Sequence, residues 1–228
     1  MFSKLFGKNY TRKKLLKNTS SPVMKDFYGL PFPENKEFIS YLNIVSLDFE
    51  TTGLDVEACD VVSFGSVNIS RLGVDLASCL HQLINIKGEL TEQSVVIHQI
   101  TDSAVASGVR IEEAMPTLLK KLSGGVLLAH NARIELGFLN KMCQKLYDTD
   151  FIIPVIDTQY LAKRSLERIN KSHKSNDLRL FNLRKSFNMP AHKAHNALLD
   201  AISTAELFLA MLSKISPQND GRLGDFIS

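Results

Sequence analysis

The chain has 228 residues, of which 44% are hydrophobic and 22% charged, and its formal net charge is +3. This length supports one domain with a substantial core, and no apolar run approaches the roughly 18–20 residues that span a bilayer. The three cysteines are far apart and form no CxxC pair. This pattern argues against a structural zinc site and favours reduced thiols in a cytoplasmic protein.

The positive charge is concentrated at the start of the chain. Residues 1–20 hold six Lys/Arg and no acid, whereas the other 208 residues hold 21 basic and 24 acidic side chains. Such a segment is either a solvated, partly disordered tail or an arm that binds phosphate backbones or an anionic membrane surface. Residues 21–38 contain three prolines and predict a linker or an irregular surface strap. We therefore predict a basic extension with its linker over residues 1–38.

Regular structure is predicted to begin after this extension. Three β-branched runs predict consecutive strands joined as an antiparallel meander, namely YLNIVSLDFE, VVSFGSVNIS and LASCLHQLINI. Helices and short buried strands are then predicted in the order TEQSVVIHQI, IEEAMPTLLKKL, GVLLA (strand), ARIELGFLNKMCQKLY, FIIPVI (strand), TQYLAKRSLERI, LRLFNLRKSFN and ALLDAISTAELFLAML. This order predicts an α/β domain over residues 39–212, with a mixed central sheet flanked by helices. Residues 213–228 are predicted only as a polar C-terminal tail.

Two carboxylates lie close together on the first predicted strand. Asp48 and Glu50 are two residues apart, so their side chains project from the same face of the strand. On a buried strand this pairing is costly, because each negative charge disfavours ionisation of the other. A bound divalent cation would reverse that cost. Placement of the pair at an exposed strand end explains the same pattern without any metal, and the pair alone leaves both explanations open.

A similar hexapeptide occurs twice, as HNARIE at residues 130–135 and HNALLD at residues 195–200. Asn131 and Asn196 are residue types that favour the N-cap of a helix. The acid that ends each copy then falls in the first helical turn, where the positive end of the helix dipole stabilises a carboxylate. The repetition thus has a structural explanation that requires no chemistry.

Helix geometry separates the histidine of the second copy from its acid. Five residues on a continuous helix rotate by about 500°, which is about 140° away from alignment. His195 and Asp200 therefore cannot share a face of one helix. We predict that His195 precedes the cap, on the connecting loop. Asp157 is interpreted as an N-cap of the helix that follows it.

Three segments resemble the exonuclease motifs of the DEDD superfamily, in the order in which the family has them: LDFETTGLD, AHNARIE and HNALLDA. The last has the His-x4-Asp spacing of the DEDDh branch, which includes the proofreading epsilon subunit of bacterial DNA polymerase III and RNase T. IHQIT and VIDT also resemble connecting segments of that branch. The resemblance covers about residues 40–212 and implies an RNase H-like fold.

The resemblance also implies roles for individual residues. Asp48, Glu50 and Asp200 would bind metal directly, and His195 would be the general base. Glu135 stands where the family normally has Asp, as a further member of the catalytic and metal-binding set. The family histidine at the position of His130 is structural. The terminal nucleotide would contact the segment Thr51, Thr52, Gly53 and Leu54, with Leu54 against the last base.

These expectations together predict a metal-dependent 3′–5′ exonuclease that releases nucleoside 5′-monophosphates with two Mg²⁺ or Mn²⁺ ions. Its predicted partners are nucleic-acid 3′ ends, DNA rather than RNA, and a DNA polymerase or a replication or repair protein. Two alternatives stay open. The first, suggested by Glu135 in place of the family Asp, is a catalytically silent, exonuclease-like module that binds nucleic-acid ends or a polymerase. The second, suggested by the basic arm, is a membrane or nucleic-acid tether with the domain as its scaffold.

Overall fold

The computed structural model describes residues 7–86, 105–170, 172–191, 195–218 and 220–227. Its centre is a five-stranded sheet with the spatial order β3-β2-β1-β4-β5. The strands are β1 (Ile44–Thr51), β2 (Val61–Ser70), β3 (Gly73–Leu83), β4 (Val126–Ala129) and β5 (Val155–Asp157). The first three pair antiparallel, whereas β1, β4 and β5 run parallel. The predicted meander and mixed sheet are confirmed.

Helices cover both faces of this sheet. They are α1 (Lys8–Asn18), α2 (Pro22–Gly29), α3 (Ile111–Leu122), α4 (Arg133–Tyr147), α5 (Thr158–Arg168), α6 (Leu180–Ser186) and α7 (Ala197–Ile215). Residues of α2, α3 and α4 pack in one core cluster, and residues of α5, α6 and α7 pack in another. Successive residues of β4 alternate between the two clusters, because successive side chains of a strand point to opposite faces. The α/β class is confirmed.

The predicted helices agree with the observed ones apart from their ends. The segment FIIPVI forms a strand only from Val155 onward, and the residues before Val155 are in irregular structure. The predicted helix TEQSVVIHQI lies outside the described residues. Among the residues that the structure describes, no helix combines the length and apolar character needed to cross a bilayer.

The N-terminal segment differs from the predicted linker or surface strap. Pro22–Gly29 form α2, which begins at Ser21, whose side chain accepts a hydrogen bond from the backbone N–H of Met24. Met24, Phe27 and Tyr28 are fully buried in the core cluster that also contains residues of α3 and α4. The prediction of a strap is therefore wrong. The prolines suggested an irregular segment, but they carry no information about whether the apolar side chains between them pack on the sheet.

The basic segment before α2 is also folded where the structure describes it. Arg12 on α1 is buried, and its guanidinium donates to Asn9 Oδ1 at 3.1 Å and to the carbonyl oxygen of Tyr28. Asn9 in turn donates to Phe32 O at 2.8 Å and accepts from Phe32 N at 2.9 Å. A disordered tail is therefore wrong for Lys8–Asn18. Binding of phosphates or membranes by this segment stays a prediction.

The C-terminal residues also pack on the domain. The helix α7 continues to Ile215, past the predicted end of the domain. Leu223 and Phe226 are fully buried, and the Phe226 ring meets the Phe208 ring edge to face at 6.0 Å between centroids. The C-terminal segment is polar in composition, but two of its apolar residues anchor it in the core. The division of the chain at residues 38 and 212 stays a prediction.

The burial of α2 predicts that it stabilises the whole domain. Phe27 stacks on Phe151 with 5.2 Å between ring centroids, so Phe27→Ala leaves a cavity and should lower the free energy of unfolding by about 3–5 kcal/mol. Leu30→Ala is the matched control, because Leu30 is 55% exposed, and its change should stay within about 0.5 kcal/mol. Urea denaturation measures both. Equal, small effects would show that α2 is not part of the core.

Candidate active site

Three carboxylates meet where β1 ends and α7 begins. Asp48 and Glu50 project from the same face of β1, and Asp200 lies in the first turn of α7. One oxygen of each lies within 4.8 Å of the others. Glu50 and Asp200 are buried and Asp48 is partly buried. The structure thus joins two sequence segments about 150 residues apart into one all-oxygen cluster, of the donor type that Mg²⁺ and Mn²⁺ prefer.

A glycine lets α7 come this close to the sheet. Gly65 of β2 is paired with Asp48 of β1, and a Cβ atom at Gly65 would overlap the backbone of Ala197 and Leu198. Ser46 fixes the same contact from β1, because its buried hydroxyl donates to Ala201 O at 2.7 Å. These two positioning residues were not among the site residues predicted from the sequence. A glycine inside a strand is a signal of close backbone approach that could have found Gly65.

The start of α7 is capped as predicted. The side chain of Asn196 accepts a hydrogen bond from Leu199 N at 3.1 Å. The Asp200 carboxylate accepts from His195 N at 2.7 Å and from Asn196 N at 3.2 Å. His195 therefore precedes the helix, as the spacing predicted, and it is exposed with a positive φ of 66°. Asp200 fixes the backbone from which the His195 imidazole projects.

The start of α4 is capped differently, so the prediction of Asn131 as N-cap is wrong. The N-cap position is Ala132, and Asn131 adopts a left-handed φ of 65°. The carboxylate of Asp157 instead accepts hydrogen bonds from the backbone N–H groups of both residues, at 3.1 and 3.0 Å. Glu135 still lies in the first turn of α4, as predicted. The two hexapeptides are therefore similar in sequence but not in their capping.

Asp157 serves two helices at once. It is the last residue of β5 and also accepts from Gln159 N at 2.8 Å and Tyr160 N at 3.3 Å, which confirms it as the N-cap of α5. Its further bonds to the start of α4 depend on β4 and β5 being neighbours in the sheet. The cap of α5 was predicted from the sequence, but the role of Asp157 at α4 was not, because that role joins two distant segments.

The two histidines of the hexapeptides have different surroundings. His130 is packed beside Thr158, with Nδ1 and the Thr158 hydroxyl 2.8 Å apart. Burial lowers the pKa of His130, against the raising effects of the Asp157 charge and the backbone of Leu178. His195 is exposed on its loop. The environment of His130 agrees with a structural role, and the exposure of His195 agrees with access to solvent.

Glu135 is buried next to the cluster without belonging to its closest part. It is 3% exposed, and among the described residues its Oε2 has no hydrogen-bond partner. Burial raises the pKa of Glu135 to about 8, and the charge of Asp157 adds to this, whereas a hydrogen bond from its own backbone opposes it. The pKa of Asp48 is raised by burial and then by the charges of Glu135, Asp200 and Glu50.

In the absence of a cation, the charges of Glu135, Asp200 and Glu50 disfavour ionisation of Asp48 and raise its pKa, in addition to the effect of burial. A buried carboxylate oxygen without a donor costs free energy, and bound Mg²⁺ or Mn²⁺ would supply the missing positive charge. The residues present therefore fit a divalent metal. Asp48, Glu50 and Asp200 are placed to share such an ion, and Glu135 adjoins them.

The segment after Glu50 forms a turn with one exposed apolar side chain. Thr51 donates from its hydroxyl to Gly53 O at 2.7 Å, and Thr52 accepts from Asp60 N at 3.0 Å. Leu54 at the end of the turn is 78% exposed. The turn is thus held by its own hydrogen bonds, directly beyond the acidic cluster. Contact of these residues with a substrate stays a prediction.

Comparison with known sequences places the chain in a family. The RNase T family model, described as an exonuclease, matches residues 45–208. The chain belongs to this exonuclease family. A PolC-type DNA polymerase III of Thermotoga maritima is 33% identical over 174 residues, which cover 75% of this chain and 12% of that protein. The chain thus spans about one eighth of that relative. A DNA polymerase III subunit epsilon of Treponema pallidum is 28% identical over 78% of this chain and 80% of its own length.

Solved structures show the same fold. Exonuclease X in complex with 5′ overhanging duplex DNA superposes with a TM-score of 0.60 and 22% identity, over 80% of this chain and 98% of that one. The nuclease domain of 3′hExo, a DEDDh family member bound to rAMP, has a TM-score of 0.64 and 15% identity, over 84% and 98%. The predicted RNase H-like fold is confirmed by these structures, and the resemblance to an exonuclease family is confirmed by the family model.

The approach of α7 to Gly65 predicts that this position tolerates no side chain. Gly65→Ala should displace the first turn of α7, weaken Mn²⁺ binding in calorimetry and lower the free energy of unfolding by about 1–3 kcal/mol. Gly73→Ala in β3 is the matched control, because the nearest atom to its added Cβ is Ser70 O at 3.7 Å. Indistinguishable Mn²⁺ affinities in the two variants would contradict the role assigned to Gly65.

Proposed function

We propose that this chain is a metal-dependent 3′–5′ exonuclease that hydrolyses phosphodiester bonds at nucleic-acid 3′ ends and releases nucleoside 5′-monophosphates. One observation carries the proposal: Asp48, Glu50 and Asp200 converge within 4.8 Å in a chain of the exonuclease family. An acidic cluster of this kind repels a phosphodiester unless cations accompany it. Such a cluster does not stabilise the fold, whereas metal-dependent cleavage of a polyanion requires it.

We propose that Asp48, Glu50 and Asp200 hold two Mg²⁺ or Mn²⁺ ions directly, with Glu135 as a fourth carboxylate. When bound, such ions stabilise the attacking and leaving oxygens of an in-line displacement. The chain's contribution is to fix the acids before substrate arrives. Glu50 and Asp200 are buried on β1 and α7, and the hydroxyl of Ser46 joins these two elements by a hydrogen bond.

His195 is proposed as the general base that takes a proton from the attacking water. Its exposure gives the imidazole access to water, and its backbone bond to Asp200 keeps it beside the cluster. A loop position with a fixed anchor allows the ring to reach a water without leaving the site. His130, which is packed against Thr158, is proposed as a structural residue.

The turn beyond Glu50 is proposed to contact the terminal nucleotide. The backbone and side chains of Thr51, Thr52 and Gly53 would position its sugar and phosphate, and the exposed side chain of Leu54 would pack against its base. An exposed leucine held at a fixed turn provides an apolar face that is tolerant of base identity. This assignment follows the family resemblance and the exposure of Leu54.

DNA is the proposed substrate, and a DNA polymerase is the proposed partner. Support comes from the relatives described above, which are DNA polymerase III proteins, and from a structural neighbour bound to duplex DNA. The location is proposed to be cytoplasmic, on the cysteine pattern of the sequence. The alternative is a catalytically silent, exonuclease-like module that binds nucleic-acid ends or a polymerase. It is supported by Glu135, a buried side chain that is one methylene longer than the Asp usual in the family at this position.

The proposal is tested by digestion of end-labelled single-stranded DNA, duplex DNA and RNA in Mg²⁺, in Mn²⁺ and in chelator. We expect metal-dependent release of mononucleotides from the 3′ end, fastest on DNA. Asp48→Asn should abolish release while the fold, measured by circular dichroism, stays intact, because it replaces a charged metal ligand with a neutral one. Release of mononucleotides in chelator, or by Asp48→Asn at the wild-type rate, would refute the proposal.

His195 and His130 are expected to respond differently to substitution. His195→Ala should reduce kcat by about 10²–10⁴, the usual loss for a general base, with little change in the free energy of unfolding. Because the site is exposed, added imidazole should restore part of the activity. His130→Ala should instead lower stability, and imidazole should not rescue it. If His130→Ala were the variant with the larger loss of kcat in a stable protein, the two assignments would have to be exchanged.

Glu135 separates the enzyme from the silent module. Glu135→Asp should keep or raise the turnover of single-stranded DNA, because it keeps the charge and restores the length usual in the family. Glu135→Gln should lose much of the activity, because it removes the charge. Turnover by both variants and the wild type is compared in Mg²⁺ and in Mn²⁺. The silent module predicts no metal-dependent cleavage by the wild type and no difference between wild type and Glu135→Gln.

A further inference from the structure

We propose that a groove between α6 and the residues after it binds a nucleobase of the single-stranded substrate, upstream of the bond that is cut. The proposal rests on the proposed nuclease function and adds a second contact for the strand, distinct from the turn at Thr51–Leu54. The groove has a volume of about 260 Å³ and a mostly apolar lining. Its lining residues are Phe181, Arg184, Lys185, Met189, Pro190 and Ala191.

The size and exposure of the groove suit one flat ring. Its volume is below the ~300–1,000 Å³ of pockets that enclose whole small molecules. Phe181 is 50% exposed at the edge of the groove, so about half of its surface is open to solvent. An exposed aromatic ring next to an apolar slot is the platform on which single-stranded bases stack, whatever their identity.

Hydrogen bonds of Arg184 hold the wall of the groove in place. Arg184 is only 4% exposed. Its Nη1 donates to Ser203 O at 2.9 Å and to Glu206 Oε2 at 2.8 Å, and its Nη2 donates to Pro190 O at 3.2 Å. This guanidinium therefore ties α6, α7 and the residues after α6 together. A groove that is already formed loses little entropy when a base enters it.

The groove lies beside the acidic cluster. Ser203, which accepts from Arg184, is three residues after Asp200 on α7, a rise of about 4.5 Å. Ala191 precedes His195 by four residues, which span at most about 14 Å. The backbone of Leu178, three residues before Phe181, lies against His130. A strand whose 3′ end is in the site can thus reach the groove within a few nucleotides.

The charge around the groove matches a phosphate backbone. Residues 172–191 contain four Lys/Arg and one acid, and the buried Arg184 among the four is paired with Glu206. Lys185 is exposed one helical turn after Phe181, so both lie on the same side of α6. Lysine beside an aromatic platform provides one contact for a phosphate and one for a base. A protein partner would need about 1,000 Å² of interface, far more than this slot offers.

The test uses Phe181→Ala and Lys185→Gln on two substrates, thymidine 5′-p-nitrophenyl phosphate and oligothymidylates of increasing length. With wild type, KM should fall as the oligonucleotide becomes long enough to enter the groove. Phe181→Ala should raise KM for the long oligonucleotides by roughly 5- to 20-fold, in the lower range for loss of one stacked base. Its kcat/KM for the nucleotide ester, which cannot reach the groove, should stay within about twofold of wild type by the same reasoning.

Binding is measured separately by fluorescence anisotropy of labelled oligothymidylate in chelator, where nothing is cleaved. Lys185→Gln should reduce the slope of log affinity against log salt by about 0.7, the value for one lost phosphate contact on a single strand. The matched controls are Tyr41→Ala, which removes a ring that is 84% exposed, and Lys25→Gln, which removes an exposed lysine of α2. Neither control should change KM or the salt slope.

Each outcome decides a different point. Wild-type KM and anisotropy in both groove variants would overturn the proposal and leave the groove to another occupant, such as a polymerase segment. Equal losses by Phe181→Ala on the ester and on long oligonucleotides would also overturn it, because they would show a structural role. If wild type cleaved neither substrate, the nuclease function would fail, and the anisotropy measurements alone would decide the groove.

Discussion

The contact between the first turn of α7 and the centre of the sheet is the constraint on which the candidate site depends. Gly65 leaves no side chain between β2 and the backbone of Ala197 and Leu198, and Ser46 bonds to α7 from β1. Because Asp200 lies one turn into α7, this contact sets its distance from Asp48. The acidic cluster is therefore a consequence of how closely a helix can lie on a strand, and any atom added at Gly65 widens it.

The same closeness gives the cluster its electrostatic character. Buried acids that face one another are costly in a protein without a compensating charge, and the raised pKa values of Asp48 and Glu135 express that cost. The fold compensates elsewhere, through a second core cluster, α1 and α2 packed at one face, and a C-terminal segment anchored by Phe226. The acidic cluster lowers the stability of the fold, and the hydrophobic core compensates for this loss. This is the usual relation between a functional site and its scaffold.

Particular residues show how far the sequence could be interpreted. The period of two along a strand placed Asp48 and Glu50 on one face, and helix geometry put His195 on the loop before Asn196; the structure has both. The same capping preference failed at Asn131, because Asp157 of a neighbouring strand takes its place. The preference of Asn for the N-cap therefore predicted the start of α7, where the cap and the helix are contiguous along the chain. It failed at the start of α4, where an acceptor from another part of the chain competes.

By itself the sequence determined the order of strands and helices, the faces of the individual elements and the resemblance to an exonuclease family. Those properties depend on residues that are near one another along the chain, where periodicity and capping act. Only the tertiary structure decided that Pro22–Gly29 belong to the core, that Asp157 caps two helices and that α6 and the residues after it enclose a groove. Each of these depends on contacts between distant segments, whose free energy comes from burial and is not written in any local pattern.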